Sequence, residues 1–167
     1  MPLNAKGRWQ AAEAGRRLAA LHPEPGRLPY VASPLGRTRD TMSILRGAIG
    51  LPPDGYEQDS RLIELTFGEW EGLTWREVKR RDPGGSAGRE RGKWAFTPPG
   101  GESYAALRDR VAPAVASLTG PTVLVSHGGV ARALLNLLAG VPEALAPSVD
   151  IWQGRVLVIA DGAHRWA

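Results

Sequence analysis

Cysteine is absent from the 167 residues, which excludes a thiol nucleophile, a disulfide framework and any zinc site built on thiolates. The same absence fits a reducing compartment, and the cytoplasm is the expected location. No apolar run is long enough to cross a bilayer, and the opening Met1-Pro2-Leu3-Asn4-Ala5-Lys6-Gly7 lacks the hydrophobic core of a signal peptide. Membrane partners and export are therefore not expected. Lysine is also scarce, with three residues against 18 arginines in a chain of net charge +4. No repeat period is visible, and no regular acidic loop offers the several oxygen ligands that a hard cation needs, so no metal is expected.

What is present reads as one domain. Hydrophobic residues make up 43% and charged residues 23% of the chain, close to the average for a soluble globular fold that can bury a real core without staples. Glycine and proline are numerous, at 21 and 14 residues, but stay below the range that signals disorder. Arginine's planar fork suits phosphate and carboxylate, which favours anionic ligands. A biased overall composition accounts for the arginine total better than function does, so each arginine counts only by its position.

Asn4 caps an expected helix from Ala5 to Leu21, with Trp9, Ala12, Leu18 and Leu21 as its apolar stripe and Pro23 and Pro25 beyond its end. Leu28 to Ala32 reads as a strand, after which Ser33 and Pro34 supply an N-cap and first-turn proline for a helix to Ile49. From residue 51 to 101 periodicity is weak, and the stretch reads as a lid-like insertion. Its one clear signal is Thr74-Trp75-Arg76-Glu77, a capping-box pattern opening a short helix that ends at Asp82-Pro83. Arg76, Lys79, Arg80, Arg81, Arg89, Arg91 and Lys93 cluster in the same stretch, either as a solvated face or as a field that steers an anion.

Ser103 starts a helix to Leu118, broken or kinked at Pro113. Thr122 to Ser126 is a continuous apolar run of the buried parallel type, and Val130 to Leu138 is a helix closed by Gly140. Arg155 to Ala160 is a last strand, with Asp161-Gly162 as a hairpin turn into Ala163 to Trp166. Strands alternating with helices point to a layered α/β domain around a mainly parallel sheet.

In such sheets ligands bind at the carboxyl ends of strands, where helix N-termini present free N–H groups to anions. Two junctions of this kind occur. One carries Ser33 and Arg37; the other carries Ser126, His127, Gly128 and Gly129, whose glycines let the backbone come close to a ligand. A bidentate arginine, an imidazole and backbone donors describe a phosphate site, although a histidine after a strand is as often a satisfied structural residue. Glu64, among apolar neighbours that could desolvate it, is a candidate general acid. Spacing alone does not separate it from Glu69 and Glu71.

These motifs, taken in order, resemble the histidine phosphatase superfamily, which includes phosphoglycerate mutases, acid phosphatases and α-ribazole phosphatases. The resemblance rests on Pro2-Leu3-Asn4 with Gly7 and Gln10, Ser33-Pro34-Leu35 with Arg37 and Thr41, Leu62 through Gly72, Pro99-Gly100-Gly101-Glu102-Ser103, and Ser126-His127-Gly128-Gly129. It implies a three-layer α/β sandwich in which a mainly parallel central sheet is flanked by helices. It also implies hydrolysis of small phosphomonoesters through a phosphohistidine, with neither metal nor cofactor. Arg37 would clamp the phosphoryl oxygens, His127 would bind and stabilise the phosphate, and Glu64 would give a proton to the leaving oxygen. Ser33 and Gly128 would line the site and Glu102 would fix the loop over it. The short motif versions resemble the small bacterial phosphatases more than the mutases.

One part of the family pattern is missing. The family's nucleophilic histidine lies in an Arg-His-Gly motif at the end of its first strand, and no Arg-His-Gly occurs here. The expectation is a single domain over 1–167 that lacks that first strand, with unpaired strand edges and an exposed surface that allows a homodimer. Either the start falls inside a longer protein that is a working phosphatase, or the chain is a phosphate-binding relic with impaired turnover. In the second case it acts as a binding or interaction module. The expected ligand is a small phosphorylated metabolite or inorganic phosphate. Nucleic acid is not expected, because the basic cluster also contains Glu77, Asp82 and Glu90 and shows no base-reading motif.

Overall fold

The computed structural model describes residues 2–167. A parallel three-stranded sheet of order β2-β1-β3, formed by β1 (Tyr30–Ala32), β2 (Glu57–Gln58) and β3 (Val123–Val125), lies among six helices. In register, Val31 faces Glu57 on one side and Leu124 on the other. The helices are α1 (Ala5–Leu21), α2 (Gly36–Gly47), α3 (Trp75–Arg81), α4 (Pro83–Arg91), α5 (Tyr104–Ala116) and α6 (Gly128–Ala139). The α/β class and parallel sheet agree with the sequence reading. The expected final hairpin is present as well: β4 (Leu157–Ala160) and β5 (Ala163–Trp166) pair antiparallel, in a sheet of their own. Its turn takes positive φ at Asp161 and Gly162, 52° and 73°, as a two-residue hairpin loop of this twist requires.

Helix signals placed most elements within a few residues. The Asn4 side chain accepts from Gly7 N at 2.8 Å, and Ser103 from Ala106 N at 3.1 Å. The expected stripe on α1 holds at Leu18 and is corrected elsewhere: Ala11 and Gly15 share its buried face, and Trp9 is 60% exposed. Gly15 explains the shift, because its missing side chain lets α1 approach the Leu45 carbonyl on α2. Pro113 does not break α5, which runs continuously past it. It sits on an exposed face, where the lost N–H bond costs least. In the 51–101 stretch, α4 was not foreseen. Asp82 both ends α3 and caps α4 by accepting from Gly85 N at 2.7 Å, and Pro83 takes the first-turn position.

Two apolar clusters hold the frame. Leu62, Leu107, Val111, Val130 and Ala133 belong to one, between α5 and α6. Leu18, Tyr30, Ala32, Met42, Leu45 and Val125 form the other, between the sheet, α1 and α2. Strands β1 and β3 thus present their carboxyl ends at one place, with both following helices anchored behind them.

Candidate functional site

The β1–α2 junction turns on Ser33 and Pro34, but Ser33 is not the helix cap that the sequence suggested. Leu35 takes that position without a side-chain bond. The hydroxyl of Ser33 is thereby left to meet the second junction, and Ser33 is completely buried. At β3–α6 the helix begins at Gly128, two residues earlier than expected, with His127 in extended conformation just before it. Gly128 and Gly129 are therefore the first residues of α6, whose N–H groups have no intrahelical acceptor.

The two junctions meet at His127. Arg37 Nη2 lies 3.0 Å from His127 Nδ1, and His127 Nε2 lies 2.8 Å from Ser33 Oγ. Guanidinium can only donate, so Nδ1 must accept, the ring proton sits on Nε2, and Nε2–H donates to Ser33. Burial, and then the nearby Arg37 and Arg110 charges, push the His127 imidazole down to about 4. The neutral ring and this tautomer are thus what geometry and electrostatics both select near neutral pH.

Glu64 joins the group through backbone. Its Oε2 accepts from Gly129 N at 3.1 Å and its Oε1 from Leu65 N at 3.0 Å. A Cβ at residue 129 would collide with this carboxylate, so glycine is required for the approach. Of the three acids, Glu64 is the one whose side chain meets the N-terminus of α6. Glu71 accepts from Thr66 Oγ1 and Phe67 N within its own loop, and Glu69 is exposed. Ser33, Arg37, Glu64, His127 and Gly128 therefore come together as a group.

Arg110 escaped the sequence reading. Its Nε and Nη2 hold the two oxygens of Glu102 at 2.9 and 2.7 Å, while Nη1 and Nη2 donate to the carbonyls of Arg61 and Ile63 at 2.6 and 3.0 Å. Arg110 thus holds Glu102 and, with it, the backbone leading into Glu64. Glu102 raises the Arg110 pKa, and Glu64 adds to this more weakly. The eight-residue spacing of Glu102 and Arg110 hinted at a pair, but carbonyls some 50 positions upstream carry no mark in the sequence. Ser126 Oγ also donates to Leu62 O, at 2.7 Å, and ties the same segment to β3.

The other histidines lie elsewhere. His22 follows α1 and accepts from Glu24 N, and His164 is exposed on β5. Among the described residues no three His, Asp or Glu side chains converge as a metal site would require, and no helix is long and apolar enough to cross a membrane.

Two strand ends, a helix N-terminus, an arginine fork and a neutral imidazole thus converge in an α/β protein, and their N–H and O–H groups are donors of the kind that an oxyanion accepts from. The model of the histidine phosphatase superfamily (branch 1) matches residues 1–167, and the chain belongs to that family. It is 37% identical over 163 residues to a glucosyl-3-phosphoglycerate phosphatase of Mycolicibacterium vanbaalenii, covering 90% of this chain and 66% of the relative. Against a probable phosphoglycerate mutase GpmB of Salmonella paratyphi C it is 34% identical over 146 residues, covering 84% of this chain and 65% of that protein. The chain thus spans about two thirds of the length of these curated relatives. A solved mycobacterial glucosyl-3-phosphoglycerate phosphatase in complex with inorganic phosphate superposes with a TM-score of 0.77 at 31% identity, over 99% of this chain and 84% of that one.

Proposed function

We propose that the group around His127 binds the phosphate of a small phosphomonoester, and that this chain holds the ligand without efficient turnover. The observation that carries the reading is the convergence of Arg37, Ser33 and His127 within hydrogen-bonding distance at the N-terminus of α6. Arg37 supplies charge and the N–H donors not spent on His127, the Ser33 hydroxyl accepts from His127 Nε2–H and keeps its own proton to donate, and Gly128 supplies backbone N–H. The likeness to a phosphatase solved with inorganic phosphate supports the same ligand class.

In hydrolysis by this family's two-step route, a histidine nitrogen attacks phosphorus and the ester P–O bond breaks. A carboxylic acid gives its proton to the leaving oxygen, and water then releases phosphate. We assign the donor to Glu64, and the stabilisation of charge on the transferring group to Arg37 and His127. The nucleophile has no counterpart, because His127 is the one histidine in the group and both its nitrogens are engaged. The ligand we favour is a small phosphorylated metabolite or inorganic phosphate rather than nucleic acid, since six of the seven clustered basic side chains point to solvent from short helices and turns.

Calorimetry with inorganic phosphate and orthovanadate on the folded chain tests this directly. Binding is expected, with loss of about tenfold or more in affinity for Arg37→Ala, as removal of a charge-assisted pair implies. Assay with p-nitrophenyl phosphate should show no turnover above background. Turnover that vanishes in His127→Ala would overturn the non-catalytic part of the reading, and unchanged phosphate affinity in Arg37→Ala would overturn the site.

A further inference from the structure

Glu64 stands on a segment with no regular structure of its own. Residues 63–67 belong to neither helix nor strand, so no ladder of backbone bonds fixes where the carboxylate points. Side chains from elsewhere take over that task. Three successive carbonyls ahead of Glu64 are each held in this way: Arg110 Nη1 donates to Arg61 O at 2.6 Å, Ser126 Oγ to Leu62 O at 2.7 Å, and Arg110 Nη2 to Ile63 O at 3.0 Å. Beyond Glu64, Thr66 O accepts from Glu102 N at 2.9 Å. The carboxylate of the same Glu102 receives Arg110 Nε and Nη2, at 2.9 and 2.7 Å. Arg110 and Glu102 therefore grip the Glu64 segment from both sides.

Only a planar fork makes these bonds at once. Two guanidinium N–H groups go to the carboxylate and two to carbonyls two residues apart, a span that an ammonium, with its donors at one point, does not cover. Both partners are half-buried, where a bidentate charged pair is a firm anchor. The Arg110 charge also reaches the site itself. Glu64 adds to the rise of the Arg110 pKa after Glu102, and Arg110 adds to the lowering at His127 after burial and Arg37. At the far end of the segment the tolerance is small. Glu64 Oε2 accepts from Gly129 N at 3.1 Å, and a shift of about 1 Å takes that contact out of hydrogen-bonding range.

We propose that Arg110 is a positioning residue: with Glu102 it sets where the Glu64 carboxylate stands against the N-terminus of α6, without touching the ligand itself. The inference rests on the phosphate reading of the His127 group and on Glu64 as the donor of a proton to the ester oxygen. Arg110 then decides whether that proton starts within reach of the leaving oxygen. Loss of its grip moves Glu64 and leaves Ser33, Arg37 and Gly128 where they are, because strand ends and helices carry those three.

Amide exchange on the full chain tests the placement. The Gly129 and Leu65 N–H groups report it, since Glu64 accepts from both, and Glu64→Ala gives the change seen when that acceptor is gone. Arg110→Lys should speed exchange at both amides about tenfold, and Glu102→Gln about threefold, while Leu134 and Leu135 inside α6 stay protected. Glu102→Gln keeps the arginine and decides the matter if Arg110→Lys loosens α6 as well. Calorimetry with inorganic phosphate should show a loss of less than about threefold in Arg110→Lys, against about tenfold or more in Arg37→Ala. The His127 imidazole, followed by NMR, separates charge from placement: Arg110→Gln should move its titration up from about 4 toward the ordinary value, and Arg110→Lys should move it less. Unchanged exchange at Gly129 and Leu65 in both variants overturns the positioning role. A loss of phosphate affinity in Arg110→Lys as large as in Arg37→Ala also overturns it, and makes Arg110 a ligand contact. If the unaltered chain fails to bind inorganic phosphate, the reading of the His127 group falls and the proton-donating task of Glu64 with it, whereas the exchange rates still decide whether Arg110 places the carboxylate.

Discussion

The frame built from β1, β3, α5 and α6 and the segment between residues 51 and 101 hold their positions by different means. In the frame, Leu107, Val111, Val130 and Leu135 are completely buried on regular helices, and stability is spread over apolar area. The segment contains two short helices, a two-residue strand and turns of three residues, fixed by individual contacts. These include the Thr74 capping box, the Asp82 cap, the Trp70–Phe96 stack at 5.4 Å and the close approach of Gly68 to Pro99 and Gly100. The frame places Ser33, Arg37 and His127, and the segment meets them where Glu64 accepts from Gly129 N.

The largest effect expected from this contrast is in the frame. Leu107→Ala leaves a cavity between α5 and α6 and should cost about 4 kcal/mol in urea unfolding, felt by the whole chain at once. Gly68→Ala tests the segment. Gly68 has φ 56°, and a Cβ there would strike the backbone of the 99–101 turn, so a cost of about 3 kcal/mol is expected from strain and collision. Amide exchange should rise around residues 66–71 and 98–102 while α6 stays protected. Uniform loss of protection in both variants would break the distinction between the two regions.

Acid should separate them as well. His127 titrates at about 4 in the folded chain, against an ordinary value of 6.5, so between those values the unfolded chain binds the additional proton. Stability then rises with pH across that window. Its full contribution, up to about 3 kcal/mol, is present above pH 6.5 and is lost as pH falls toward 4. His127→Gln should flatten that part of a stability–pH curve, and a slope that persists would place the sensitivity elsewhere. An anion beside the ring favours imidazolium, so phosphate binding near pH 6 should be accompanied by proton uptake. Calorimetry in two buffers of different ionisation heat measures it.

What the sequence disclosed follows the same division. Helices with local caps, Asn4 on α1, Ser103 on α5 and Thr74 on α3, were legible because cap and helix are neighbours in the chain. The buried run before His127 and the Gly140 stop marked α6 equally well, and the ordered motifs brought Ser33, Arg37, Glu64, His127 and Gly128 into one list that the fold gathers into one place. Arg110 was not legible, because its partners are carbonyls whose exposure depends on where α5 docks. Trp9 misled for a related reason: a large apolar side chain on a helix suggests the buried face, but the close contact with α2 selects Gly15 instead. Helix α4 was hidden by its composition, Pro-Gly-Gly-Ser-Ala-Gly, which reads as a loop until Asp82 and Pro83 are recognised as its start.

The smallest effect concerns α3, where sequence and structure agree most closely. Thr74 Oγ1 accepts from Glu77 N at 3.3 Å, and Glu77 Oε2 accepts from Thr74 N at 2.8 Å, completing the box. Thr74→Ala removes one of these bonds and leaves an unpaired donor in the first turn of a seven-residue helix. The expected loss is about 1 kcal/mol, small against a core truncation. Its location matters more than its size. Trp75 packs edge-on against Trp70 and Val78 is buried, so a frayed helix should raise amide exchange across residues 66–81 while the affinity for inorganic phosphate stays as before. Weakened phosphate binding and faster exchange in α6 would mean that the segment and the frame form one cooperative unit, and the contrast drawn between them would then describe only how each is built.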